Sequence, residues 1–364
     1  MRLAMEARPI MVMAGGTGGH IFPALAVAEE LRALGVPVLW LGSGHGPETQ
    51  IVARAGFPFT ALRVAGLRGQ PLFKQLLAPL VLVRSVLRCL GLIARQRPAL
   101  ILGMGGYASG PGGLAAWLMR VPLLIHEQNA VPGLTNRVLA RLARRCLESF
   151  PGTFAHGCGV HTGNPVRAAV VAVRGERREA PNDPDQPLRL LVIGGSQGAR
   201  VLNQTVPSAV ALVKPPAALA VWHQVGRLDQ GDTRSAYAAR GLEARVEPFI
   251  EDMAAAYRWA DLVVCRAGAS TVFELAAAGI PAILVPYPSA VDDHQTANAR
   301  YLAERGAAVL MPQAQLDAAR LAALLASLSA DRAQLAPMAR AAAALATPDA
   351  AQRVARQCLE VALA

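Results

Sequence analysis

Twice along this chain an apolar strand runs into a glycine-rich loop and then directly into a helix. The first copy is "PIMVMAGGTGGHIFPAL", Pro9–Leu25; the second is "LRLLVIGGSQGARVLNQTV", Leu188–Val206. Strand, glycine loop, helix is how α/β proteins hold phosphate, because glycines let backbone N–H groups close in and a helix N-terminus favours negative charge. The repeat therefore predicts two α/β halves, each starting its own parallel sheet. Between them "RGERREAPNDPDQP", Arg174–Pro187, is polar, proline-rich and without periodicity, and reads as part of a linker near 165–187. In the first half Pro37–Gly42, Ala99–Gly106 and Val121–Asn129 read as buried parallel strands; "LAVWHQVG", "ADLVVCRAG" and "IPAILVPYP" do so in the second. From Thr347 an amphipathic helix closes the chain.

Composition narrows the function. At 364 residues and 53% hydrophobic, each half can bury a full core, which excludes a disordered chain. Five scattered cysteines without a Cys-x-x-Cys fit a reducing cytoplasm and argue against a zinc site. Met1–Met13 has neither an apolar h-region nor a cleavage site, so no signal peptide is expected. A net charge of +11 suits nucleic acid, an anionic membrane or acidic small substrates. No basic stripe interleaved with aromatics accompanies it, which argues against nucleic acid.

"GGTGGH" does not give the dinucleotide spacing Gly-x-Gly-x-x-Gly, and "LWLGSGH" lacks the acid that a ribose 2′-hydroxyl needs, so a nicotinamide enzyme is a weak alternative. Without Gly-Lys-Ser/Thr there is no P-loop. Further clusters follow strands: "GMGGYASGPGG" (Gly103–Gly113), "HEQNAVPGLTN" (His126–Asn136) and "CRAGASTVFELAAAGIP" (Cys265–Pro281). In the last, two readings of Ser270, Thr271 and Glu274 stand side by side. They form a capping box at a helix start, or Glu274 accepts hydrogen bonds from a ribose diol. Leu72–Pro98 likewise has two readings. Its longest uncharged stretch, Gln75–Val83, is too short to span a bilayer. Arg84 and Arg88 share one face, so it is either a core helix with arginines in water or a surface helix on an anionic membrane.

"GGTGGHIFPALAVA", "GMGGYASGPGGLAAW", "HEQN", "GNPVR", "GGSQGAR", "CRAGASTVFE" and "DDHQTAN" occur in an order that resembles glycosyltransferase family 28, bacterial N-acetylglucosaminyltransferases that turn lipid I into lipid II. The likeness runs over nearly the whole chain. It implies a GT-B fold, two Rossmann-like domains with parallel sheets facing across a cleft: an acceptor- and membrane-facing domain over 1–165, a linker over 166–187, a UDP-sugar domain over 188–346, and a helix over 347–364 returning to the first domain. It implies inverting transfer of GlcNAc from UDP-GlcNAc to the muramoyl 4-hydroxyl of lipid I, without cofactor or metal, although Asp292-Asp293-His294 tempts one to see ligands. It also implies a peripheral enzyme on the cytoplasmic face of the inner membrane. A UDP-GlcNAc 2-epimerase, a diacylglycerol glycosyltransferase and an inactive membrane-binding protein are the alternatives; the Gly103–Trp117 stretch favours lipid I.

Carried over by position, Thr17, Gly18, Gly19 and Asn129 resemble donor-contacting residues, and Arg167 and Ser196 contacts to the diphosphate side. Ile250 resembles the residue whose backbone reads uracil. Ala269, Ser270, Thr271, Val272, Phe273 and Glu274 would wrap ribose and phosphates, and Gln295 would hold sugar hydroxyls. Ala267 and Phe273 stand where serines are usual. The first loop ends in a histidine that a phosphate cradle does not need. Inverting transfer does need a base to take the acceptor's proton, and histidine titrates near the operating pH. His20 is thus the expected base, or else it caps its helix or donates to a phosphate; Glu127 is the other candidate base.

Overall fold

The computed structural model describes residues 8–44, 46–62, 78–176, 186–195, 197–213, 219–229 and 231–364. Two compact units emerge, one of the residues up to Arg167 together with Thr347–Ala364, the other Ala168–Ala346.

The first unit is built on seven parallel strands: β1 (Ile10–Met13), β2 (Val38–Gly42), β3 (Phe59–Ala61), β4 (Leu100–Gly103), β5 (Leu123–Glu127), β6 (Arg145–Glu148) and β7 (Gly159–His161), in the order β3-β2-β1-β4-β5-β6-β7. β1 pairs on both sides, with Ile10 opposite Val38 and opposite Leu100. Its side chains alternate between two cores. Ile10 and Val12 pack with Ile21, Val27 and Leu31 of the helix Gly18–Ala33 and with Val354, Cys358 and Val361 of the helix Ala350–Leu363. Met11 and Met13 pack with Val86, Cys89 and Ile93 of the helix Ala78–Gln96 and with Ala115 and Ala116 of the helix Ser109–Leu118. Both faces are covered, which is why "IMVM" reads as an unbroken apolar run rather than an alternation. Each such residue, fully buried, contributes about 1.5–3 kcal/mol.

The second unit repeats the plan with β8 (Leu188–Ile193), β9 (Leu219–Gln224), β10 (Ala244–Glu247), β11 (Leu262–Cys265), β12 (Ala282–Leu284) and β13 (Ala308–Leu310), in the order β10-β9-β8-β11-β12-β13. Its two central strands are tied at their starts by charge: Arg189 on β8 donates from Nε and Nη2 to the fully buried Asp261 at 3.0 and 2.6 Å. The stretch 166–187, expected as a linker, carries a helix instead over Ala168–Glu176. Val170 and Val173, three apart, are buried as it packs on the helices Met253–Trp259 and Ala269–Ala278. Residues 177–185 of that stretch lie outside the described residues.

In both sheets the strand order reverses between the first strand and the fourth, β1/β4 and β8/β11. Open parallel sheets bind ligands at such a switch point, outside the carboxyl ends of the strands. Both glycine loops of the sequence repeat begin there.

Candidate functional site

In the second unit the loop after β8 and the loop after β11 wall a pocket of about 710 Å³, a size suited to a nucleotide-sized ligand. Gly194, Gly195, Gln197, Gly198 and Arg200 line one side, Arg266, Gly268 and Thr271 another, and Tyr287, Gln295 and Gln313 a third. The helix Arg200–Leu212 starts at this wall, so its first N–H groups and its positive dipole end meet the pocket. Arg266 supplies a full charge. Its guanidinium donates to the carbonyls of Val285 (3.2 Å) and Pro286 (3.1 Å) and to Gln313 Oε1 (2.8 Å), and it lies 5.4 Å from the centre of the Tyr287 ring. These acceptors are all neutral. Burial lowers its pKa, yet a guanidinium stays charged at any physiological pH. The pocket therefore holds a fixed, oriented cation, a chemistry that suits an anion.

Several residues singled out in the sequence fall here and several do not. Thr271 and Gln295 line the pocket. Gln295 Oε1 accepts from the amides of Tyr287 (2.9 Å) and Ala267 (3.3 Å), which fixes its side chain. Ser196 lies outside the described residues. The capping box does not form: the helix Ala269–Ala278 has Gly268, without a side chain, at its N-cap. Ser270 is already in the first turn and Glu274 in the second. Glu274 is buried, and its Oε2 accepts from the Tyr257 hydroxyl at 3.0 Å; it is not among the residues lining the pocket. Ala269, Val272 and Phe273 are buried, Phe273 against Tyr301 with ring centres 5.9 Å apart. Those side chains serve the core, and the Val272 amide donates to Gly268 O at 3.0 Å within the helix start. Ile250 is also buried and off this wall. Arg167 belongs to the first unit, where its guanidinium lies 4.6 Å over the Phe22 ring. Among the described residues the pocket's positive charge is supplied by Arg266 and Arg200.

In the first unit the loops after β1 and β4 touch. Met104 N donates to Met13 O at 2.8 Å, and a Cβ on Gly106 would lie 2.4 Å from Gly15 O. Thr17 is the N-cap of the helix Gly18–Ala33, Gly18 and Gly19 form its first turn, and His20 follows with its amide donating to Thr17 O. The half-buried His20 ring lies against Gly105, whose φ is +93° and whose Cβ, if it had one, would sit 2.6 Å from His20 Cδ2. Only glycine fits there.

Glu127, the other candidate base, is occupied. Oε1 accepts from Asn129 N (3.0 Å) and Nδ2 (3.2 Å), and Oε2 from Gly133 N (3.1 Å) and Asn136 Nδ2 (2.8 Å). Four donors around a carboxylate that is 3% exposed make it the anchor of the 129–136 loop, with Asn129 as one of its bonds. Asp292 and Asp293 form a left-handed turn (φ +53° and +49°) before the helix His294–Ala303, and Thr296 Oγ1 donates to Asp293 at 2.7 Å. No group of three or more metal-ligating side chains occurs among the described residues.

Two Rossmann-like units, each with a glycine loop at its switch point, define the GT-B fold class. Within it the match is specific. Residues 10–148 fit the glycosyltransferase family 28 N-terminal domain and residues 189–354 the family 28 C-terminal domain. The chain is 56% identical, over 97% of its length and 99% of the relative's, to the UDP-N-acetylglucosamine--N-acetylmuramyl-(pentapeptide) pyrophosphoryl-undecaprenol N-acetylglucosamine transferase of Alkalilimnicola ehrlichii. The enzyme of the same name from Nitrosococcus oceani is 54% identical over 97% of this chain and 98% of its own. The crystal structure of MurG from Acinetobacter baumannii superposes with a TM-score of 0.80 at 38% identity, covering 97% of this chain and 99% of that one. A UDP-N-acetylglucosamine 2-epimerase superposes with a TM-score of 0.69 at 16% identity, over 98% of this chain and 96% of that one, and shares the fold alone. The chain belongs to glycosyltransferase family 28.

Proposed function

We propose that the protein is an inverting hexosyltransferase that moves GlcNAc from UDP-GlcNAc to the 4-hydroxyl of MurNAc in lipid I, giving lipid II for peptidoglycan synthesis. The observation that carries this reading is 56% identity over 97% of the chain to a transferase named for that reaction. The pocket chemistry supports it. A nucleoside diphosphate placed at the second unit's switch point meets the main chain of Gly195 and Gln197, the helix start at Arg200 and the Arg266 guanidinium, which together stabilise the charge that develops as UDP departs. The acceptor belongs to the first unit, where His20 takes the proton of the attacking hydroxyl. In-line attack on the face opposite UDP gives the β1,4 linkage. Radiolabelled UDP-GlcNAc with a lipid I analogue tests the reading: transfer of label to the lipid supports it, and UDP-sugar epimerisation without acceptor would place the protein with the epimerases.

Glu274 is the ribose reader in this scheme. A carboxylate offers about four acceptor positions, so the Tyr257 hydroxyl does not exhaust it. Glu274→Ala is expected to raise the donor KM by about 10–100-fold, a charge-assisted pair contributing about 1.5–3 kcal/mol. Donor titration checks it; an unchanged donor KM returns Glu274 to holding Tyr257.

The same reading puts the first unit at the cytoplasmic face of the inner membrane. No helix among the described residues is long and apolar enough to cross a membrane. The helix Ala78–Gln96 buries Val86, Cys89 and Ile93 and exposes Leu80, Val81, Leu82, Val83 and Leu87 around Arg84 and Arg88. It is thus a core helix and a surface helix at once, and its neighbour Ser109–Leu118 adds the exposed Trp117 and Leu118. Lys74 of the same segment lies outside the described residues. Exposed apolar side chains ringed by arginine suit the headgroup boundary of an anionic leaflet. Each basic residue there contributes about 1 kcal/mol. Arg84→Glu with Arg88→Glu is expected to abolish cosedimentation with anionic vesicles while a soluble acceptor analogue is still glycosylated; full binding at moderate salt would move the contact elsewhere.

A further inference from the structure

The first glycine loop looks like a phosphate cradle, yet its anion is already built in. Glu48, the first residue of the helix Glu48–Arg54, is fully buried and turns its carboxylate back into the loops after β1 and β2. Oε2 accepts from Gly16 N at 3.4 Å; Oε1 accepts from Gly44 N at 3.2 Å and from the Ser43 hydroxyl. Glycines make the room. A Cβ on Gly46 would lie 2.0 Å from Oε2, and one on Gly15 3.2 Å from Oε1. Burial would raise the carboxyl's pKa, but the hydrogen bonds from Ser43, from its own amide and from the Gly16 and Gly44 amides outweigh it and hold the group below its usual range. A charged carboxylate therefore takes the Gly16 amide that an anion on this loop would otherwise use.

We propose that Glu48 is a positioning residue for the transfer reaction: its carboxylate occupies the anion nest of the first glycine loop and thereby fixes the start of the helix that carries His20. The chain of contact is short. Gly16, at φ +92°, is the last residue before the N-cap Thr17, and Thr17 O receives the His20 amide. The imidazole in turn lies in the space that the missing Cβ of Gly105 leaves. If the nest empties, the helix start loosens and the ring loses its fixed relation to the acceptor hydroxyl. The role in catalysis rests on the reading of His20 as base; the occupied nest does not.

Glu48→Gln keeps the shape but turns one acceptor oxygen into an N–H donor facing N–H donors. Its kcat is expected to fall about 10²-fold, the size of effect that a displacement of about 1 Å produces, with the donor KM within about twofold of the parent. The His20 imidazole resonance of the labelled protein is expected to shift or broaden in the same variant. That signal needs no substrate, so it reads the nest even if the transfer assay fails for the parent protein. In Glu48→Ala, added formate is expected to refill the nest and restore part of both the rate and the resonance, which a general loss of folding would not allow. An unchanged His20 resonance in Glu48→Gln overturns the proposal. So does a lowered acceptor KM in either variant, because the nest would then be a site for the acceptor's phosphates.

Discussion

Replacing His20 with alanine is expected to lower kcat by about 10²–10⁴-fold, the usual range for a lost general base, with little change in donor KM. An acceptor hydroxyl has no nucleophilic strength until its proton is taken, and the base must offer a lone pair to it. Glu127 spends its oxygens on four donors of its own loop and is 3% exposed. His20 is half-buried at the meeting point of the loops after β1 and β4, on a ring position that Gly105 leaves open. Imidazole as a side-chain type suits a group that accepts a proton in one step and returns it to water in the next. Steady-state kinetics with both substrates varied distinguish the roles. A variant with normal kcat and weakened UDP binding would make His20 a phosphate donor instead.

The two glycine loops were legible because their information is local: an apolar run, glycines, a helix start, all within twenty residues. What they face was not. Arg266 stands in plain sight in "CRAGASTVFE", yet its place in the pocket depends on β11 lying beside β8, which brings the residue after β11 to the same pocket as Gly194, Gly195, Gln197 and Gly198. The resemblance points to Arg167 for the diphosphate; the described lining of the pocket adds Arg266 and Arg200, which the motifs do not single out. Glu48 is hidden for a related reason: "LWLGSGH" has no acid at its end, and the acid comes a few residues later, aimed at the protein's own backbone. The capping box failed by register. Ser270 and Glu274 have spacing close to one, but the chain enters the helix after an extended Gly268, so the box falls one turn inside. The helix Ala168–Glu176 hid because two buried valines are a faint signal beside the arginines and glutamates that follow. β3 and β7 are edge strands of three residues, too short for any period to show.

Acid is expected to destabilise both units between pH 7 and pH 5, well above the carboxylate range, through two histidines buried in the neutral form. His126 on β5 and His223 on β9 are both 0% exposed. His126 Nε2 donates to Gly163 O at 3.1 Å, and Nδ1 accepts from Gln128 Nε2 at 3.1 Å, which also donates to Met104 O. A second proton would have to go on Nδ1, N–H against N–H. Burial pushes the His126 pKa down from 6.5 to about 4, the hydrogen bond to Gly163 offsetting it only in part. Burial likewise pushes His223 down to about 3, against a small opposing pull from Asp229. The sign follows from proton counting: below pH 6.5 the unfolded chain binds protons that the folded chain refuses, so stability falls with pH until the folded pKa is reached. Over the step from pH 7 to pH 5 each histidine is expected to remove about 2 kcal/mol. Glu48 and Asp229, whose pKa values are lowered, act with the same sign but only below pH 4.5, so the two windows separate. Urea unfolding at pH 7 and pH 5 measures the effect, and His126→Gln should flatten the pH slope of the first unit while costing stability at pH 7. Equal stability at the two pH values would mean that water reaches both rings and that the polar network around Gln128 opens readily.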